Sequence, residues 1–308
     1  MTQRKVWIQA VRTFSFTASA VPVLFGAALA AWQGPKDPSP MWWTLPVILV
    51  ASILFQAATN LVSDAYDFKK GVDRPGTQGS SGVLVAGLLK QEQVHKGGIL
   101  LFAIGSALGL GLVALRGWPL AALGVIGLLG GYLYTGGPKG YKYVALGDPL
   151  VGLLMGPLMV LGSYFVLTGE MPIGKIFIQS IPVALLVIAI LHGNNMRDIN
   201  DDAQSGFRTL AGLLGFGGAQ KYYLVLIAGS YLSVIVMALV GLLPAASLIV
   251  AVSLIPALQA LKAALSSTAP SDPRVRMLDV QSAQLHLAFG VLLTLGTLAG
   301  LWIGTPSA

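Results

Sequence analysis

The sequence predicts an all-α integral membrane protein, a bundle of nine transmembrane helices. Three observations predict it. Of 308 residues, 55% are hydrophobic and only 10% are charged, with a mean hydropathy of +0.76. A soluble domain carries about 25% charged residues, and charge this scarce cannot cover a water-soluble globule of this size. Nine apolar stretches approach the roughly 20 residues that a helix needs to cross the hydrocarbon core. Finally, Lys and Arg collect on alternate connections between those stretches.

The nine stretches cover residues 15–32, 42–60, 98–115, 119–134, 149–167, 176–192, 222–240, 243–263 and 285–303. The first follows a basic segment, MTQRKVWIQAVRTFSF, as a signal peptide would. Its apolar run reaches Trp32 without a cleavage site that leads into a soluble domain, so it is read as a spanning helix. The fourth and sixth stretches are short, and only the turn at 241–244 separates the seventh from the eighth. Many of the 38 Gly and 17 Pro lie inside these runs, where membrane helices tolerate both.

Orientation follows from the loops. With the N-terminus in the cytoplasm, cytoplasmic segments carry 16 of the 19 Lys and Arg, and the outer segments carry only Lys36, Arg116 and Lys175. Nine spans then put the C-terminus outside. Most of the net charge of +7 is thereby a topology signal and an anchor to anionic lipid in the bilayer. No soluble basic domain exists for nucleic acid, which is excluded as a partner. The absence of Cys excludes disulfides, thiolate metal sites and Cys nucleophiles, and three His (His95, His192, His286) are too few for a His-rich zinc site.

Six of the twelve acidic residues fall in two short segments. The first, NLVSDAYDFKKGVD at 60–73, ends the second apolar stretch; the second, NNMRDINDD at 194–202, ends the sixth. Asn60, Asp64 and Asp67 are spaced i, i+4, i+7, which puts them on one helix face, and Asn194, Asp198 and Asp201 repeat the spacing. Asp202 lies four residues beyond Asp198. Acidic groups at a membrane helix end are costly and mark function. Oxygen ligands without His or Cys suit Mg²⁺ or Ca²⁺, and Mg²⁺ is usually shared between a few carboxylates and substrate phosphates. Lys69, Lys70 and Arg74 flank the first cluster, and Arg197 and Arg208 the second. Carboxylates, cations and an apolar chamber together suit an amphiphilic substrate with a phosphate head. The stretch PGTQGSSG at 75–82 offers backbone amides to phosphate, although it lacks the Gly-Lys-Ser/Thr ending of a P-loop.

At these residues the sequence resembles the UbiA superfamily of intramembrane prenyltransferases, over nearly the whole chain. It is most similar to the branch that prenylates 1,4-dihydroxy-2-naphthoate in menaquinone synthesis. Four stretches carry the resemblance: WIQAVRT with SAVPVLFG (7–13, 19–26), NLVSDAYDFKKGVD (60–73), YTGGP with GDP and MGP (134–138, 147–149, 155–157), and NNMRDINDDAQSGFRTLA (194–211). Ser63 stands where the branch usually has a second Asn, Gly71 where the superfamily often has a third Asp, and Asp201 is additional. The resemblance implies one domain over residues 1–308, a nine-helix bundle, and a site facing the cytoplasm from the cell's inner membrane.

It also implies roles. Asp64 and Asp67 hold one Mg²⁺, Asp198 and Asp202 a second, and Asp201 is a possible extra ligand. Both ions bridge a polyprenyl pyrophosphate. Asn60 and Asn194 orient ligands or bind the pyrophosphate. Arg12, Arg74, Lys139 and Arg208 are the candidate cationic contacts to it. Tyr66 and Tyr134 are candidates to shield an allylic cation with their ring faces; interfacial packing is the alternative for both. Asp73 is the acidic residue the naphthoate branch uses beside the first cluster. The acceptor implied is 1,4-dihydroxy-2-naphthoate, losing CO₂ to give demethylmenaquinone, with 4-hydroxybenzoate or homogentisate as alternatives. A cation-coupled transporter is the competing class. Transporters hold their acidic sites near the bilayer midplane, whereas these clusters end their helices.

Overall fold

The computed structural model describes residues 2–37, 39–77, 79–137 and 140–303. A short amphipathic helix, α1 (Gln3–Ala10), precedes α2 (Thr17–Gln33), α3 (Leu45–Lys69), α4 (Gln91–Arg116), α5 (Trp118–Leu133) and α6 (Gly147–Leu153). A five-residue π segment, Leu154–Leu158, joins α6 to α7 (Met159–Thr168). Pro157 lies inside it, and its missing N–H explains why regular α pairing fails there. Then come α8 (Ile173–Gln179), α9 (Ile181–Arg197), α10 (Ile199–Gln204), α11 (Leu210–Leu239), a 3₁₀ segment Ala245–Ser253, α12 (Leu254–Leu265) and α13 (Leu278–Ile303). An isolated parallel bridge between Val144 and Arg208 is the one β-type pairing among the described residues.

The protein is a multi-pass membrane protein. Seven stretches are long and apolar enough to span, and the bent pair α8–α9 brings the number to eight. The 16-residue α5 is apolar but shorter. Each of the nine apolar stretches of the sequence falls on helix. Several helices run well beyond their stretches: α3 continues to Lys69, through the first acidic cluster, and α4, α11 and α13 begin at Gln91, Leu210 and Leu278. The sixth stretch is interrupted: α8 and α9 meet at 53° around Ser180, followed by Pro182, which can start a helix but not continue one.

Small residues let the helices approach closely. A Cβ at Gly290 of α13 would lie 2.2 Å from Val21 of α2, and one at Gly156 would lie 2.4 Å from Ala184 of α9. The principal core joins α2, α7, α9, α11 and α13 around Phe25, Leu167, Leu186, Leu226 and Phe289. Lipid-exposed side chains ring it, among them Trp118, Leu239 and Trp302. A smaller core of Val6, Ala10, Leu61, Val83, Leu84 and Val94 packs α1 and the loop after residue 82 onto the ends of α3 and α4. That packing brings the Gly-rich loop to the acidic end of the bundle.

Candidate functional site

The first cluster sits on the last two turns of α3. Asp64 and Asp67 are 1% and 2% exposed, and a buried carboxylate survives only with partners. Asp64 accepts Nη2 of Arg12 on one oxygen and both the backbone N–H (3.2 Å) and the hydroxyl of Ser81 on the other. Asp67 accepts Lys142 Nζ at 2.7 Å on Oδ2 and the Tyr143 hydroxyl at 2.5 Å on Oδ1. Burial works against the Lys142 charge, but Asp67 prevails and holds it well above the usual lysine range. Asn60 donates its amide to Val11 O and Ser15 Oγ, each at 2.8 Å. It therefore pins the turn in which Arg12 adopts a left-handed conformation (φ 52°). Asp73 is buried beyond the helix end, and its Oδ2 has no hydrogen-bond partner among the described residues. Burial, then Asp67 and Asp64, push its pKa up to about 7.

The second cluster sits where α9 gives way to α10. Arg197 grips both oxygens of Asp198, at 2.8 and 3.0 Å, and reaches Asn194 Oδ1 at 2.6 Å and Asp279 of α13 at 3.1 Å. Asn194 donates to Asp198 Oδ2 at 3.1 Å. Asp202 is buried on α10, and its pKa is pushed up to about 6 by burial, against the pull of Lys142.

Three segments bind the clusters together. In the Gly-rich loop, Ser81 caps Asp64 while a Cβ at Gly79 would lie 2.8 Å from Asp198 Oδ2. Arg74 crosses to α10, meeting Gln204 at 2.6 Å, Ser205 at 3.2 Å and Asp201 at 3.4 Å. Arg208 donates its backbone N–H to Tyr143 O at 3.2 Å, and Phe207 packs against the Tyr143 ring at 4.3 Å. Beneath this polar end lies a cavity of about 530 Å³. Arg12, Asn60, Tyr134, Lys142 and Asn194 line its mouth, and α2, α3, α4, α5, α7 and α9 supply apolar walls below.

The structure thus brings together Asp64, Asp67, Asp73, Asp198, Asp202, Asn60, Asn194, Arg12 and Tyr134. It engages Arg74 and Asp201 with each other. Arg208 is exposed and meets the site through its backbone. Tyr66 does not line the cavity; its hydroxyl pairs with Tyr132 at 2.9 Å, and its ring packs edge-on to His95. Lys139 lies outside the described residues. Sequence reasoning missed Lys142, Tyr143, Ser81 and Asp279. Their signal was faint: Lys142 is a second lysine three residues past Lys139, and Asp279 is a lone acid in a first helical turn.

Among the described residues, no three His, Asp or Glu side chains form a metal cage by themselves. The donor set is hard oxygen, paired and cation-balanced, with an orphaned carboxylate oxygen on Asp73. Such a set fits Mg²⁺ shared with phosphate oxygens and does not fit an all-protein cage.

The bundle thus carries two acidic turns at one end and an apolar chamber beneath them. The chain belongs to the UbiA prenyltransferase family, whose model matches residues 19–278. It is similar to the 1,4-dihydroxy-2-naphthoate octaprenyltransferase of Bacillus subtilis (strain 168), at 35% identity over 295 residues, 94% of this chain and 91% of that protein. It is also similar to UbiA prenyltransferase domain-containing protein 1 of Homo sapiens, at 38% identity over 213 residues, 68% of this chain and 61% of that protein. Among solved structures, the apo form of a UbiA homolog from Aeropyrum pernix K1 shares the fold with a TM-score of 0.69 at 18% identity, covering 92% of this chain and 98% of that one. A UbiA homolog from Archaeoglobus fulgidus, bound to GPP and Mg²⁺, gives 0.57 at 16% identity, covering 94% and 99%.

Proposed function

We propose that this protein transfers a polyprenyl group from a polyprenyl diphosphate to 1,4-dihydroxy-2-naphthoate, with Mg²⁺ as cofactor. The observation that carries the reading is the convergence of both carboxylate turns on the mouth of one apolar cavity. A diphosphate head belongs at that mouth, and a prenyl tail belongs among the apolar walls. The 35% identity to the naphthoate prenyltransferase over 94% of the chain supports the choice of acceptor. The Archaeoglobus fulgidus protein, which shares the fold, holds a prenyl diphosphate with Mg²⁺.

Asp64 and Asp67 on one side, and Asp198 and Asp202 on the other, are the residues that would hold Mg²⁺. Bound there with the diphosphate, Mg²⁺ supplies Lewis acidity that offsets the leaving group's charge. Arg12 and Lys142, already directed into the mouth, take diphosphate oxygens, Arg as a fork and Lys as a point charge. Asn194 holds Asp198 in place. The allylic C–O bond breaks, and its electrons leave with the diphosphate. The ring carbon bearing the carboxylate bonds to the allylic carbon, and the C–CO₂⁻ electrons return to the ring as CO₂ departs. No proton has to be removed at that carbon, so the site needs no general base for the step. The Tyr134 ring stands at the mouth, where it would face the allylic cation.

The reading extends to topology: a single domain over the full chain, nine spans with α5 counted as one, the N-terminus and both acidic turns in the cytoplasm, and the cell's inner membrane as location. Because the chain has no Cys, single-Cys variants report sidedness directly. Asp37→Cys should react with an impermeant maleimide from outside and Ser271→Cys only after permeabilisation; the reverse pattern overturns the orientation. For the reaction, membranes carrying the protein are incubated with polyprenyl diphosphates and a panel of aromatic acids. Mass spectrometry should find the prenylated naphthalenediol and released CO₂ in a Mg²⁺-dependent manner. A product only from 4-hydroxybenzoate or homogentisate would replace the acceptor, and no prenylated product from any acid would refute the reading.

A further inference from the structure

Asp148 lies in the first turn of α6, buried at 1% exposure. Its Oδ2 is 2.8 Å from His192 Nδ1, and its Oδ1 accepts the amide of Asn195 at 3.0 Å. His192 Nε2 donates to Ala219 O of α11 at 3.1 Å, and the ring meets Tyr222 edge-on at 4.7 Å. A carboxylate faces one ring nitrogen and a carbonyl the other, so one proton is shared between Asp148 and His192. None of Asp148, His192 and Asn195 lines the cavity. The reaction as described above uses none of them, yet they form a buried polar network across α6, α9 and α11.

The placement on α9 gives the network its meaning. Val187, Ile190, Leu191 and Asn194 present the cavity-facing side of that helix. His192 and Asn195 project from a flank about a third of a turn away. Asn195 adjoins Asn194, and Arg197 and Asp198 follow within one turn, where the helix ends. Apart from this network and the bonds of its last residue, Arg197, to Asp279 and Arg276 O, α9 packs largely through aliphatic side chains, which are close to equivalent under a small rotation; hydrogen bonds are directional and are not.

We propose that Asp148 is a positioning residue. Through His192 and Asn195 it sets the rotation of the last turn of α9, and hence the direction in which Asn194 and Asp198 face the cleft. The inference rests on Asp198 being a ligand for a metal–diphosphate head. It predicts which substitution is tolerated. In Asp148→Asn, the new carbonyl still accepts Asn195, and the new amide donates to Nδ1 of a neutral imidazole. Nε2 still donates to Ala219 O, so every contact survives. In Asp148→Leu, the bonds to His192 Nδ1 and to Asn195 both fail.

The test uses purified full-length protein and Mn²⁺ binding read by EPR in the presence of inorganic pyrophosphate. Mg²⁺ half-saturation and acceptor KM in prenyl transfer serve as the second readout. Asp148→Leu should weaken Mn²⁺ binding and raise Mg²⁺ half-saturation by about tenfold, with acceptor KM unchanged. Asp148→Asn should remain close to wild type. A network serving only stability would lower the amount of active protein and leave these constants alone, and that result overturns the proposal. So does an Asn variant as impaired as Leu. If Asp148→Leu fails to fold, Asn195→Ala decides: a shift in the same direction by a smaller factor supports the proposal, and an unchanged constant overturns it. Wild-type protein that binds no Mn²⁺ with pyrophosphate would sink the site reading itself and this inference with it, an outcome distinct from wild type and Leu variant binding alike.

Discussion

The two acidic turns share a sequence pattern, Asn-x₃-Asp-x₂-Asp, but the structure builds them differently. On α3 the helix runs unbroken through Asp64 and Asp67, and the neutralising groups come from far along the chain: Arg12, Ser81, Lys142 and Tyr143. On α9 the helix stops at Arg197, and Asp198 is neutralised by its own neighbour. Both Asn residues line the cavity, but Asn60 gives its amide to Val11 O and the Ser15 hydroxyl, whereas Asn194 holds Asp198. Matched spacing therefore fixes which face a residue occupies, while the segment that meets that face fixes what the residue does. The first turn depends on tertiary structure for its charge balance, and the second is largely self-contained.

That contrast can be broken or sharpened experimentally. The largest effect should be common to both turns. Asp67→Asn and Asp198→Asn are each expected to lower prenyl transfer by about 100-fold or more; full activity in either would remove that residue from the metal site. Next comes a split in stability. Lys142→Met leaves Asp67 buried with only the neutral hydroxyls of Tyr143 and Ser63 among the described residues, and loss of one partner from a buried pair costs about 3–5 kcal/mol, so a large fall in thermal midpoint is expected in detergent. A midpoint matching wild type would show that Asp67 does not depend on its remote cation.

A smaller contrast concerns the two Asn residues. Asn60→Ala loses its bonds to residues 11 and 15 and should destabilise by about 1–3 kcal/mol. Asn194→Ala should instead raise the Mg²⁺ requirement with little change in midpoint; exchanged phenotypes would reverse the assigned roles. The smallest effect is pH dependence with EDTA present. The folded protein holds the Asp73 proton up to about pH 7 and that of Asp202 to about 6, while the unfolded chain releases both near 3.8. The folded state thus binds more protons across that window, and stability must fall as pH rises from about 4 to 7. Thermal midpoints at pH 5 and pH 7.5 check the sign. Asp73→Asn should flatten the slope, and an unchanged slope would clear Asp73 as its source.

Most of the fold was legible because burial in lipid writes itself as long apolar runs. The break at Ser180 was not legible, because Pro182 at a helix start and a proline within a span look alike in sequence. Within the site, the helix period placed Asp64 and Asp67 correctly on one face. It could not single out Lys142, because loop geometry brings that lysine to Asp67. Arg74 read as a phosphate contact, yet it binds α10; Tyr66 read as a cation shield, yet it pairs with Tyr132. The Asp148–His192 contact joins residues 44 positions apart, and no periodicity reports such a pairing.

The Gly-rich loop sets a length standard for the site. Gly79 touches one acidic turn and Ser81 the other, and two peptide units reach at most about 7 Å. The gap between Asp64 and Asp198 is thus gauged by a fixed run of main chain, which rotamer changes cannot stretch. Inserting a single residue between Gly79 and Ser81 would reset that gauge while leaving every acidic ligand in place, separating the spacing of the two turns from their chemistry.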